Sequence, residues 1–87
     1  MTITMTRQKF SGKALRQARD ARRMPDGRKM TAAQLAEATG ISVDTIRDYE
    51  GGRYAPNADR LVALARALGV PMESLFAEVD ETEEDNT

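Results

Sequence analysis

The clearest periodicity lies in residues 58–68, ADRLVALARAL, where Leu61, Leu64, Ala65 and Leu68 recur at i, i+3, i+4 and i+7. That spacing is the stripe of a helix burying one face. Asn57 stands where an N-cap is needed and Gly69 where the chain must leave, so a central packing helix is predicted between them. Upstream, SGKALRQARDARR predicts a first helix from Ser11 to about Arg23. Leu15, Ala18 and Arg22 form its stripe, Phe10 and Ala14 its flank, and arginines its walls. MPDGRK breaks the pattern, because Pro25, Asp26 and Gly27 are turn residues. Thr31 with Gln34 three residues on, TAAQ, reads as a capping box that starts a second helix running to about Thr39 and ending at Gly40. Ser42 caps a third helix, about Val43 to Glu50, and Pro71 opens a short fifth one in PMESLF. No strand pattern of any length competes. The expected fold is an all-α, compact bundle of five short helices.

The ends are expected to differ from this body. Residues 1–9 alternate Thr with Ile and Met, which suits a flexible arm, an edge strand or an added leader. The predicted organisation is an arm or leader over 1–9, one domain over 10–77 and an acidic, disordered tail over 78–87.

Charge sharpens this division. The formal net charge of −1 describes neither part: residues 1–77 hold 13 Lys/Arg against 8 Asp/Glu, a balance of +5, and residues 78–87 hold six acids and no base. A basic body with an acidic tail points to a polyanionic partner, against the plainer reading of a solvated basic surface with a solubilising tail. Histidine, cysteine and tryptophan are absent. The commonest general base, thiolate metal ligands and disulfides are therefore missing, which argues against an enzyme, a metal site or a cofactor. No run of about 18 apolar residues is present for a membrane span, and the N-terminus lacks a secretory apolar region, so a cytoplasmic protein is expected.

The second and third predicted helices are short and joined by about three residues around Gly40, the spacing of a helix-turn-helix. Ala36 keeps the crossing close, Gly40 supplies the left-handed reversal, and Ile41 and Ile46 plug the turn. At about 100° per residue, Ser42, Tyr49 and Glu50 fall on the Ile46 side, while Asp44, Arg47, Asp48 and Gly51 face away, with Val43 and Thr45 on the margins. Base contacts in such a motif come from the early part of the second helix. The candidate readers are therefore Val43, Asp44, Thr45, Arg47 and Asp48. Arg47 offers the fork that matches the two acceptors of guanine, and Val43 or the Thr45 methyl suits a thymine methyl. Asp44 is assigned mainly to the helix dipole and to orienting Arg47 at i, i+3 rather than to a base. For Asp48 the two readings, accepting from cytosine N4 or a structural role, stay open. Candidate phosphate contacts are Arg28, Lys29, Thr31 and Ala32 on one side, and Ser42, Arg53, Tyr54 and Asn57 on the other.

LAEATGIS, TIRDYEGGRYAP and LVALARALGVPMESLF together resemble the lambda-repressor-like, Cro/Xre-type DNA-binding domain, over residues 11–76. The resemblance implies a five-helix fold and a palindromic double-stranded DNA operator bound by a homodimer. It also implies an ion pair between Arg19 of the first helix and Glu50, whose inward position demands a partner. Two features depart from the family: Ala32 stands where a phosphate-holding glutamine is common, and MPDGRK lengthens the first turn. Met72, Leu75, Phe76 and Val79 form a candidate dimer patch, the alternative being that they cap the bundle. The expected function is a sequence-specific DNA-binding transcriptional regulator, a repressor, with helix three in the major groove. The rival readings are an antitoxin or restriction-control protein of the same fold, and a protein-interaction adaptor that has lost DNA binding.

Overall fold

The computed structural model describes residues 4–82. It contains β1 (Thr4–Phe10), α1 (Gly12–Ala21), α2 (Ala32–Thr39), α3 (Val43–Glu50), α4 (Ala58–Leu68), a 3-10 turn (Met72–Leu75) and β2 (Phe76–Thr82). Each α-helix starts at a side chain that accepts from a backbone amide three residues on: Ser11 from Ala14, Thr31 from Gln34, Ser42 from Thr45 and Asn57 from Arg60. The capping box of α2 is complete, since the Thr31 amide in turn donates to Gln34 Oε1 at 2.8 Å. Gly40 and Gly69 close α2 and α4 in the left-handed conformation, at φ 76° and 69°.

These ends aim the apolar stripes at one core. Leu15, Leu35, Ile46, Leu64 and Leu75 are its fully buried members, joined by Met30, Ile41, Tyr49, Ala65 and Leu68. Burying each leucine or isoleucine contributes about 1.5–3 kcal/mol. The turn after α1 doubles back as a narrow loop. Met24 N donates to Arg28 O at 2.8 Å and Met30 N to Arg22 O at 3.0 Å, with Gly27 at φ 85° in the bend. The longer turn thereby delivers Met30 into the core.

Three expectations are corrected. Over the described residues the fold has four α-helices and a two-stranded sheet, not five helices. The fifth element, Met72–Leu75, is a single 3-10 turn, because Pro71 starts it and four residues later the chain becomes extended. Of the three readings of residues 1–9 the described residues adopt the edge strand, and residues 78–82 of the predicted disordered tail are ordered with it: β1 and β2 pair antiparallel from Phe10↔Phe76 out to Thr4↔Thr82. Seven backbone pairs, formed between segments far apart in sequence, satisfy amides and carbonyls that water would otherwise take. Residues 1–3 and 83–87 of the predicted arm and tail lie outside the described residues.

Candidate nucleic-acid interface

The site is the exposed side of α3 and the loops beside it. Its inner side is fixed first. Ile46 is fully buried and Tyr49 nearly so. The Tyr49 ring meets Phe10 edge-on at 6.3 Å, and its hydroxyl accepts from Arg60 Nη1 at 2.8 Å. Arg19 holds Glu50 with two prongs: Nε donates to Oε2 at 2.7 Å and Nη2 to Oε1 at 2.9 Å. Its remaining prong, Nη1, donates to Met30 O at 3.0 Å. The hydrogen bond to Glu50, against the cost of burial, raises the Arg19 pKa above its ordinary value, so the guanidinium stays charged. α3 is thus tied to β1, α1, α4 and the end of the first turn, which holds its outer side in a fixed orientation.

On that outer side Asp44 and Arg47 are exposed, with Val43, Thr45 and Asp48 half-buried beside them. Asp44 lies in the first turn of α3, where the dipole favours a carboxylate. It forms no ion pair with Arg47, so the expected orienting role has no contact behind it. Asp48 does have a partner that helical spacing did not reveal. Arg53 Nη1 lies 3.7 Å from Asp48 Oδ1, and Arg53 N donates to Asp48 O at 3.0 Å. The loop after α3 is therefore folded back onto its last turn.

The predicted phosphate contacts fall into two groups. Arg28 and Lys29 are exposed on the loop that precedes α2, close in sequence to the half-buried Ala32. In the capping box the Thr31 amide is used as a donor, while its hydroxyl accepts from the Gln34 amide and keeps its O–H to donate. Ser42 caps α3 and its hydroxyl also bonds Thr45 Oγ1 at 2.8 Å, while Asn57 caps α4. Arg53 and Tyr54 are exposed between α3 and α4, Tyr54 at 65 %. The proposed dimer patch is not continuous. Leu75 has no exposure because its segment lies under α1, where Ser11 N donates to Leu75 O at 2.9 Å. Met72 is exposed, and Phe76 and Val79 are half-buried.

Gly12 carries no signal of function in the sequence, yet it sets how close α1 comes to α3. A Cβ there would lie 2.7 Å from Glu50 O and inside contact distance of Tyr49 O. Among the described residues no helix is long and apolar enough to cross a membrane.

Four capped helices with a tight crossing at Gly40 and an outward α3 define a helix-turn-helix domain. The chain belongs to the helix-turn-helix family, whose model matches residues 15–75. It is similar to multiprotein-bridging factor 1 of Candida albicans, with 40 % identity over 72 residues, covering 76 % of this chain and 44 % of that protein. It is also similar to the immunity repressor protein of Bacillus phage phi105, at 39 % over 51 residues, covering 59 % of this chain and 35 % of that one. An uncharacterized transcriptional regulator of Rhodospirillum rubrum matches at 39 % over 46 residues, covering 53 % and 43 %. The chain spans less than half the length of these relatives.

Proposed function

We propose that the protein is a sequence-specific DNA-binding transcriptional regulator, a cytoplasmic repressor that lays α3 in the major groove of a palindromic operator as one half of a homodimer. The observation that carries this reading is the contrast across α3. Its inner side is fixed by Ile46, Tyr49 and the Arg19–Glu50 pair, and its outer side presents Asp44 and Arg47 to solvent. A rigid scaffold under a polar outer face is what base reading requires. Cationic side chains flank that face at Arg28 and Lys29 on one side and Arg53 on the other, and contact phosphates on either side of the groove. The relatives named as repressor and transcriptional regulator support the same reading.

The test is selection of bound duplexes from a random pool, followed by salt titration of the selected site. A palindromic consensus and a steep salt slope are expected; no enrichment overturns the proposal. Arg47→Ala is expected to flatten preference at one base position, with a loss of about 1–3 kcal/mol for the selected base. Asp48→Asn is expected to act oppositely. With its carboxylate neutralised, Asp48 no longer repels nearby phosphates or competes with them for Arg53, so affinity rises for all sequences.

A second reading, an adaptor that joins other proteins, is favoured by the name of the multiprotein-bridging relatives and by Ala32 in place of a phosphate-holding glutamine. Capture of a specific protein by a variant lacking Arg47 and Arg53, with no selected DNA site for the wild type, would favour it.

A further inference from the structure

The feature left unused by the helix-turn-helix is the ribbon of β1 and β2. Its sheet has two strands only, so each strand keeps one edge with no strand beside it among the described residues. An isolated two-stranded ribbon is marginal in water, and a free edge is a template for another strand. What can add to each edge is decided by charge.

The β2 segment, FAEVDET, carries acids at 78, 80 and 81. A two-fold pairing of β2 with β2 of a second copy can centre on residue 78, 79 or 80 if five or more described residues are to pair. Those centres set Glu78 against itself, Glu78 against Asp80, or Asp80 against itself. Like charges directly opposite are destabilising, so this edge is protected against its own copy. The β1 segment, TMTRQKF, is different. Centred on Arg7 it opposes Arg7 to itself, and centred on Gln8 it opposes Arg7 to Lys9. Centred on Thr6 it pairs Thr4 with Gln8, Met5 with Arg7 and Thr6 with Thr6; no like charges stand directly opposite, and the two Arg7 are only diagonal neighbours.

We propose that the protein dimerises by adding β1 of one copy, edge to edge and antiparallel, to β1 of a second, centred on Thr6. The product is one four-stranded sheet in the order β2–β1–β1–β2. The acidic β2 strands form its outer edges and stop further growth, so the assembly closes as a two-fold dimer. The helical domains lie at opposite ends of the paired strands, each joined through Phe10–Ser11 and Phe76. This rests on the dimeric part of the proposed function and replaces the apolar patch, broken by the burial of Leu75, as its interface.

The native chain has no cysteine, so single cysteines report the register without background. Directly opposite residues in an antiparallel pair have Cα atoms about 4.5–5.5 Å apart, within the span of a disulfide. Under mild oxidation of the full chain, Thr6→Cys is expected to convert most of the protein to a covalent dimer. Thr4→Cys and Gln8→Cys are expected to cross-link when mixed, and neither alone. Val79→Cys and Glu78→Cys are expected to form no covalent dimer under the same conditions. Cross-linking at Val79 or Glu78, or strongest cross-linking at Arg7→Cys, overturns the Thr6-centred pairing. A dimer by sedimentation with no cross-link at Thr6 also overturns it and leaves the dimeric reading standing. A wild type that sediments as a monomer at every concentration overturns both.

Discussion

Arg19→Ala is expected to lower folding stability by an amount approaching the ~3–5 kcal/mol that follows removal of one partner from a fully buried ion pair, since this pair is largely but not wholly buried. The guanidinium and carboxylate are only 14 % and 10 % exposed, and three of the arginine's donors are used. Without Arg19 the Glu50 carboxylate loses both hydrogen bonds and the Met30 carbonyl loses one. The cost is therefore mostly that of stranded polar groups rather than of lost attraction. A small domain has a total stability near the low end of about 5–15 kcal/mol, so much of this variant unfolds near body temperature. At about 4–8 °C per kcal/mol, its melting midpoint falls by roughly 12–40 °C. Arg19→Lys keeps the charge without the fork, and lands between the two. A melting midpoint that is the same for wild type and Arg19→Ala rejects the clamp. DNA affinity alone would not test it, since an unfolded fraction also lowers apparent affinity.

Which parts of this architecture the sequence disclosed follows from the range of the forces involved. Helix starts are local: Thr31 with Gln34, Ser42 and Asn57 each satisfy an amide three residues away, so residue type and spacing suffice. The inward position of Glu50 follows from helical periodicity relative to Ile46, and its pairing with Arg19 from the resemblance to the family. The ribbon is the opposite case. The alternation of Thr with Ile and Met at the N-terminus is strand-like, but its partner is the acidic C-terminal segment, and no local pattern links residue 4 to residue 82. Met30 is hidden for a related reason. It sits beside Arg28 and Lys29 in a polar turn and is buried only because that turn folds back against Arg22. Leu75 shares an apolar cluster with Met72 and Phe76, and composition does not say which of the three the core takes. Asp48 pairs with Arg53 across the end of α3, where helical spacing no longer fixes geometry.

The other large effect is expected from Gly12→Ala, a substitution that would strengthen an ordinary helix by about 1 kcal/mol. Gly12 is not in a left-handed conformation, so backbone freedom does not explain it. Close approach does. The Cβ would meet the carbonyls of Tyr49 and Glu50, at the C-terminal end of α3, and both neighbours are backbone atoms that cannot rotate away. Either α1 shifts outward or the end of α3 bends. Both movements pull on Phe10 against Tyr49 and on Arg19 against Glu50, the contacts that orient α3. Overpacking of side chains costs about 1–3 kcal/mol, and a clash with main chain on two carbonyls belongs at or above the top of that range. The expected result is a fall in melting midpoint comparable to that of Arg19→Ala. In the fraction still folded, preference for the selected DNA site weakens at several base positions together, because the whole outer side of α3 is displaced. Arg47→Ala, by contrast, affects one position and leaves stability unchanged. If Gly12→Ala melts at or above the wild-type temperature, the close packing of α1 on the end of α3 is not what holds the reading helix in place.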